Sequence, residues 1–327
     1  MQAGFRWMTR CLMCALMCWV VTPVQAAGEY PSKPIRMIVP FPPGSSADVR
    51  SRQIAALVAP MLKQQIIVDN RPGAAGKIGT VLAAKSPPDG YTIAYILTNS
   101  VCVIPHLYKD PQFNPVRDLT PFIITLRAAP IALVAAGSDM RTLADVVAKA
   151  KAAPGKLTYD TSGPGSPQHL TGEQFQRLNA IDMVAVPYKG DAPTLVDLIS
   201  GQIDLAFGFA LASMPLVAAG KLRAIAVASD KRHPFLPDVP TLVEAGMPHI
   251  DATIWSGFAV PKATPAAIVR KLHQAFHQVM TTPAFKADVE QAGSELVASS
   301  QAEAEKLVTS KYYRYAKIIK DLDIKAE

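Results

Sequence analysis

Three times in this chain a short apolar run ends in a loop of proline, glycine, serine or lysine and resumes as a helix. The first instance is Ile35-Arg-Met-Ile-Val39, then Pro40-Phe-Pro-Pro-Gly-Ser-Ser46, then a segment carrying Ile54, Leu57, Val58, Met61 and Leu62. That last set has the i, i+3, i+4, i+7, i+8 spacing of one buried helix face. In the second instance residues 157–161 lead into Ser162-Gly-Pro-Gly-Ser-Pro167 and a helix from about His169. In the third, residues 183–186 lead into Pro187-Tyr-Lys-Gly190, and Asp191-Ala-Pro193 starts a helix with proline in its first turn. Strands alternating with helices pack as a largely parallel sheet covered on both faces, so the chain is an α/β protein. Ligands of such sheets bind at the carboxyl ends of the strands, where all three loops fall.

The rest of the chain keeps the alternation. Residues 66–68 and 91–97 read as strands, separated by a helix that Arg71-Pro-Gly-Ala-Ala-Gly-Lys-Ile-Gly79 opens and by a Pro87-Pro-Asp-Gly90 turn. A second cycle has strands at 131–135, 203–207 and 222–228, with Thr142 capping a helix that Pro154-Gly155 ends. A proline-rich connector (Pro234, Pro237, Pro240) leads to a strand at 253–260 and two closing helices. No fixed-period repeat or heptad pattern interrupts this order.

The amino terminus reads as a targeting segment. Arg6 and Arg10 precede an apolar run from Cys11 to Val21, and Val24-Gln25-Ala26 is a small-residue cleavage site, so residues 1–26 form a secretory signal peptide. The run is short of the ~20 apolar residues that a membrane span requires. Methionines before Cys14 and Cys18 argue against a lipoprotein. Cleavage would leave 301 of 327 residues and lower the net charge from +7 to +5, since Arg6 and Arg10 leave with no acid. Three of the four cysteines leave too, so Cys102 has no internal disulfide partner, and Trp255 becomes the single tryptophan. Mild, dispersed basicity suits acidic small molecules and excludes a nucleic-acid platform.

Several motifs invite chemistry and are better read otherwise. Five residues after Gly44 comes Val49, where a Walker loop needs glycine and then lysine, so an anion there would rest on backbone N–H groups and the helix dipole. Asp48 reads as a first-turn residue pairing with Arg52 at i+4. Ser166 with His169 suggests a hydrolase, but G-x-S-x-G is absent and the two lie too close in sequence for a nucleophile elbow. Ser166 reads instead as an N-cap, with His169 orienting the loop. His273 and His277 have zincin spacing, but Gln274 stands where the general-base glutamate belongs, so no metal is expected. The aromatic and basic stretch at 311–320 reads as a terminal helix packing Tyr312, Ala316 and Ile319 inward.

Taken in order, eight phrases resemble the Bug-type receptors of tripartite tricarboxylate transporters. They are YPSKPIRMIVPFPPG from Tyr30, DNRPGAAGKIGT from Asp69, PPDGYTI from Pro87, PGKLTYDTSGPGSPQHL from Pro154, VPYKG from Val186, GQIDLAFG from Gly201, LPDVPTLVEAGMP from Leu236 and WSGFAVPKATP from Trp255. The resemblance implies a two-domain periplasmic-binding-protein type II fold, each domain a mixed, mostly parallel sheet flanked by helices, with the ligand cleft between them. Domain 1 would comprise residues 27–128 and 254–327, domain 2 residues 129–253, with Trp255 at the hinge.

The resemblance further implies an exported, periplasmic receptor that captures a small organic carboxylate by domain closure and delivers it to permease subunits in the membrane. It implies a monomer with no cofactor, no metal, no nucleic acid and no catalytic residue. First-domain contacts would be Phe41, Gly44, Ser45, Ser46, Ala47 and Asp48, with Thr98 and Ser100 after the third strand. Second-domain contacts would be Ser162, Gly163, Gly165, Ser166, His169, Tyr188, Lys189 and Gly190, with Asp204 as a further addition. Ser45 and Ala47 depart from the family's usual glycine and threonine, and Asp191 stands where a small neutral residue is common. Asp191 would disfavour a second carboxylate or welcome an amine if it faces the cleft. A ligand sensor on the same fold, and a secreted hydrolase using Ser166, are the alternative readings.

Overall fold

The structure, a computed structural model, describes residues 30–247, 250 and 252–324. The signal-peptide segment lies outside the described residues. Contacts divide the chain into Met1–Ser32 and one large unit, Lys33–Glu327. Every described helix and strand belongs to the second unit.

That unit begins with β1 (Ile35–Val39), α1 (Ser46–Leu62), β2 (Ile66–Asn70), α2 (Lys77–Ala84) and β3 (Thr92–Leu97), then a π-helical turn at Asn99–Val103 and the short α3 (Ile104–Leu107) and α4 (Pro115–Asp118). β4 (Leu119–Ala128) leads to β5 (Ile131–Ala135), α5 (Leu143–Ala152), β6 (Thr158–Thr161), α6 (Pro167–Asn179) and β7 (Val184–Pro187). Next come α7 (Asp191–Ser200), β8 (Ala206–Gly208), α8 (Ala210–Ala218) and β9 (Leu222–Val227). The chain closes with β10 (Ile254–Pro261), α9 (Ala266–Met280), α10 (Pro283–Gln291), β11 (Glu295–Leu296) and α11 (Gln301–Asp321).

Six strands form one sheet in the order β11-β4-β10-β3-β1-β2, the core of a first lobe. β1 is parallel to β2 and to β3, as its unbroken apolar run requires of a strand buried on both faces. β10 runs antiparallel to β3 and β4, and β11 antiparallel to β4. The sheet is therefore mixed, but less parallel than the alternation predicts. The cause is the chain path: β4 carries the chain out of this sheet and β10 brings it back, so the returning strand opposes its neighbours.

β4 escaped the sequence reading, although all its residues from Leu119 to Thr125 are buried. Pro121 disguised it, since proline in a run argues against a central strand. Here Pro121 pairs with Ala259 at a register shift, where a missing ladder hydrogen bond is tolerated. Against this sheet Phe122, Phe258 and Phe276 pack with ring centroids 4.9–6.4 Å apart, each burial contributing roughly 1.5–3 kcal/mol.

The second lobe holds an antiparallel sheet β8-β5-β9 and a parallel pair β6-β7, linked by a parallel bridge between Tyr159 and Leu205. Its core gathers Tyr159, Phe175 and Phe207, and the Tyr159 hydroxyl escapes orphaning by donating to Glu173 Oε1 at 2.8 Å. The chain crosses between the sheets after Ala128 and again before Ile254, with Trp255 paired to Arg127 in register and 2% exposed.

Three details differ from expectation. Leu57 and Met61 of α1 are half-exposed, because α1 turns Ile54, Ala55, Val58 and Leu62 to the sheet. Three helices close the chain instead of two. In α11 the buried stripe is Ala304, Val308, Tyr315 and Ile319, so Tyr315 takes the deep position expected of Tyr312.

Candidate functional site

The carboxyl end of β1 becomes a loop because Gly44 takes φ +78, a left-handed conformation that favours glycine. Ser45 then caps α1, its Oγ accepting from the Asp48 N–H at 3.3 Å. The first N–H groups of a helix have no partner within it. With Asp48 capped, the amides of Ser46 and Ala47 remain without a partner among the described residues. Ser46 is exposed, so two N–H groups, a hydroxyl and the positive end of a 17-residue helix face outward together. That arrangement favours an anion.

Asp48, expected at the ligand, sits beneath the loop. Its Oδ2 accepts from Gly44 N at 2.9 Å, and its Oδ1 from Asn70 Nδ2 at 2.9 Å and from Arg52 Nε at 3.0 Å. Asn70 Nδ2 also donates to the Phe41 carbonyl at 3.1 Å. The Arg52 hydrogen bond, then that from Gly44, hold the Asp48 carboxyl below its ordinary range. Asp48 braces the loop and its charge is spent on Arg52.

Thr98 and Ser100 are also turned away. Thr98 Oγ1 accepts from Trp255 N at 2.8 Å, locking β3 to β10, and Ser100 Oγ donates to the Leu97 carbonyl at 3.1 Å. Both residues are buried. Between the loop and this turn lies the segment that opens α2, which is more strained than a helix start requires. Ala74 (φ 46) and Ala75 (φ 53) stand between Gly73 and Gly76, which also have positive φ. Left-handed backbone at a non-glycine residue costs about 1–2 kcal/mol and persists only where the surroundings impose it. A Cβ built on Gly76 would lie 3.3 Å from Ser100 Cβ and 3.6 Å from Phe41 Cζ, so the three segments share one corner.

On the second lobe, Ser166 caps α6, accepting at Oγ from His169 N at 3.2 Å and Ser162 N at 3.3 Å, with Thr161 Oγ1 3.0 Å away. The hydroxyl is buried and fully engaged. His169 Nδ1 accepts from Gly165 N at 3.3 Å, a role for the neutral ring, and burial lowers its pKa accordingly. Among the described residues no basic side chain hydrogen-bonds the Ser166 hydroxyl, so the pair orders the loop and lacks the geometry of a hydrolase. Pro167 has no N–H, which leaves Gln168 as the one uncovered amide of this turn.

Gly165 serves the lobe contact. A Cβ there would fall 2.3 Å from Leu107 Cδ1 and 3.1 Å from Val103 Cγ1. Ser162 remains exposed, its hydroxyl donating to Gln168 Oε1 at 3.2 Å.

The third loop ends at Gly190 (φ 118), which precedes α7 without a side-chain cap. Pro193 lacks an N–H, so the amides of Asp191 and Ala192 are the uncovered pair. Lys189 is exposed beside them. Tyr188 donates to Asp197 Oδ2 at 2.8 Å; burial first, then that carboxylate, push its phenol up to about 12. Asp204 binds Thr158 at both N (2.9 Å) and Oγ1 (2.8 Å) and serves as a brace. Asp160 lies in the same lobe, 3% exposed, accepting from Phe207 N at 2.7 Å. Burial, and beyond it the charge of Asp191, raise its carboxyl to about 6, and burial also raises Asp191.

No group of three or more metal-capable side chains occurs among the described residues. His273 Nε2 donates to the Ser299 carbonyl at 3.0 Å. A cavity of about 490 Å³ lies elsewhere, lined by Arg127, His233, Phe235 and Glu295, and none of the three loops contributes to it.

Two α/β lobes are joined by crossing strands, with uncovered helix amides on each. The family described as the tripartite tricarboxylate transporter family receptor matches residues 50–324, and the chain belongs to it. Its members are periplasmic solute-binding proteins of type II fold and not enzymes. Protein BugT of Bordetella pertussis is 31% identical over 308 residues, 94% of each chain. A Rhodopseudomonas palustris protein solved with adipate superposes at TM-score 0.79, with 31% identity over 91% of this chain and 99% of that one. MatC of the same organism, with bound malate, gives TM-score 0.77 and 26% identity over 89% of this chain and all of that one.

Proposed function

We propose that this chain is an extracytoplasmic receptor that captures a small dicarboxylate between its lobes and delivers it to a tripartite tricarboxylate-type permease. The observation that carries the reading is that α1 of the first lobe and α7 of the second each present two uncovered amides at the amino terminus. Such termini each favour negative charge by about 0.3–1 kcal/mol, and more where water is excluded. Two relatives hold adipate and malate, both small dicarboxylates.

In this reading the contacts are the amides of Ser46, Ala47, Asp191 and Ala192, the hydroxyls of Ser46 and Ser162, Lys189, and the backbone at Gly44, Gly163 and Gly190. Phe41 forms the apolar side. Asp48, Thr98, Ser100, Ser166, Tyr188 and Asp204 hold these groups in place. The lobes, residues 27–128 with 254–327 and residues 129–253, close because the ligand makes both sets of contacts only in the closed state. Residues 1–26 direct export to the periplasm and are removed after Ala26, and the receptor works as a monomer.

The test is a thermal-shift screen of C4 to C6 dicarboxylates on the mature chain. A ligand at 100 times its Kd should stabilise by about 2.7 kcal/mol. Silence across the panel, with stabilisation by an unrelated class such as sugars, would overturn the reading.

A further inference from the structure

Asn99 stands between Thr98 and Ser100, whose hydroxyls are both closed on backbone. It opens the π-helical turn Asn99–Val103 at the carboxyl end of β3. Such turns are rare and concentrate at functional sites. The Asn99 Oδ1 atom is buried and accepts no hydrogen bond. Most buried polar atoms are satisfied, so an orphan acceptor calls for a reason.

The surroundings supply one. Asn99 lines a void of about 10 Å³ whose walls include Thr98 and Val103 of the first lobe and Gly165, Pro167 and Leu170 of the second. A space of roughly that size holds one water-sized oxygen. Most of its walls are apolar, and Asn99 adds an acceptor with nothing to accept. The complementary group is a single hydrogen-bond donor, and a space of this size fits an O–H better than a bulkier ammonium. Through Gly165 the void touches the loop that contains Ser162 and Gly163, and Asn99 adjoins Ser100, which packs on the corner formed by Phe41 and Gly76.

We propose that Asn99 is a specificity-determining residue: its carboxamide oxygen accepts from a hydroxyl of the ligand, so the receptor favours a hydroxylated dicarboxylate over its deoxy analogue. The inference rests on reading the cleft as a dicarboxylate site. The O–H donor could be the ligand's own hydroxyl or a water that serves every ligand alike, and the experiment separates these.

Calorimetric titration of the mature chain with succinate and malate, which differ by one hydroxyl, and with glutarate and 2-hydroxyglutarate, gives the preference directly. The unsubstituted protein should prefer the hydroxylated member of whichever pair binds by about ten-fold. In Asn99→Ala that ratio should fall to about one, with affinity for the deoxy acid within about two-fold. In Asn99→Asp the ratio should persist while affinity for both acids falls, because the acceptor remains but now repels an anion. The melting temperature of Asn99→Ala should stay near that of the parent, since an orphan acceptor supports no fold contact, whereas Asn99→Asp, which buries an unpaired carboxylate, should melt lower.

A ratio near one in the unsubstituted protein, or an unchanged ratio in Asn99→Ala, would overturn the role of Asn99 and assign the void to water. An Asn99→Ala variant that loses both ligands and stability together would make Asn99 structural. Failure of every dicarboxylate to bind the unsubstituted protein would instead overturn the cleft reading, and the inference with it.

Discussion

Replacing Asp48 tests whether the first loop is held from below. Asp48 is 4% exposed and receives three hydrogen bonds, from Gly44 N, Asn70 Nδ2 and Arg52 Nε. Hydrogen bonds to a charged group contribute about 1.5–3 kcal/mol each, but the Arg52 side chain is 53% exposed and its share is discounted for solvent. Asp48→Ala should therefore cost about 3 kcal/mol, the bulk of it from the Gly44 and Asn70 bonds. In a chain of this size that lowers the melting temperature by about 5–10 °C. Ligand affinity should fall as well, because Gly44 and Ser45 lose the anchor that aims the Ser46 and Ala47 amides.

The pH dependence has a definite sign. The folded pKa of Asp48 is depressed, so its contribution is present above the unfolded value of 3.8 and is lost as pH falls through the folded one. Parent and Asp48→Ala melting temperatures should thus begin to converge only as pH falls below about 4. Asp48→Asn, which keeps one acceptor, should lie between them at neutral pH. A loss under about 2 °C at pH 7, with affinity unchanged, would refute the brace.

Other outcomes follow from the same geometry. Gly165→Ala should destabilise by about 2–4 kcal/mol, combining left-handed strain with the Leu107 clash, and should cost less in a Leu107→Ala background, as a double-mutant cycle in urea would show. Asp160, raised to about 6, binds its proton more tightly folded than unfolded, so stability should decline between about pH 4 and 6. Asp160→Asn should flatten that slope and add about 1–3 kcal/mol at pH 7, measured by denaturant titration. Asp191→Asn should raise affinity for a dianion several-fold while slightly lowering stability, since an acid is lost from the first turn of α7.

The strand and helix order was legible wherever apolar runs were clean, as in β1, β3 and β5. It failed at β4, where Pro121 breaks the run and only the β10 register shift explains its tolerance. The loops were legible as well, because proline, glycine and serine at strand ends leave few other conformations. What could not be read was where each polar side chain spends its hydrogen bonds. Thr98, Ser100, Ser166 and Asp204 have the chemistry of ligand contacts, yet each closes on neighbouring backbone or on Thr158, as sequence spacing cannot reveal. Conversely, Asn99 looked unremarkable until its neighbours were seen to be satisfied. The strain at Ala74 and Ala75 was signalled by their flanking glycines, but alanine itself gives no sign of a left-handed turn.

In the proposed receptor the exposed amino terminus of α1 holds one carboxylate of the ligand. Calorimetric titration of the tightest-binding dicarboxylate against Ser46→Trp tests it most directly, since Ser46 is exposed and its indole would cover the Ser46 and Ala47 amides without burdening the core. The melting temperature without ligand should be unchanged and the Kd raised at least about ten-fold, 1.4 kcal/mol. Undiminished affinity in a correctly folded Ser46→Trp protein would contradict that carboxylate contact.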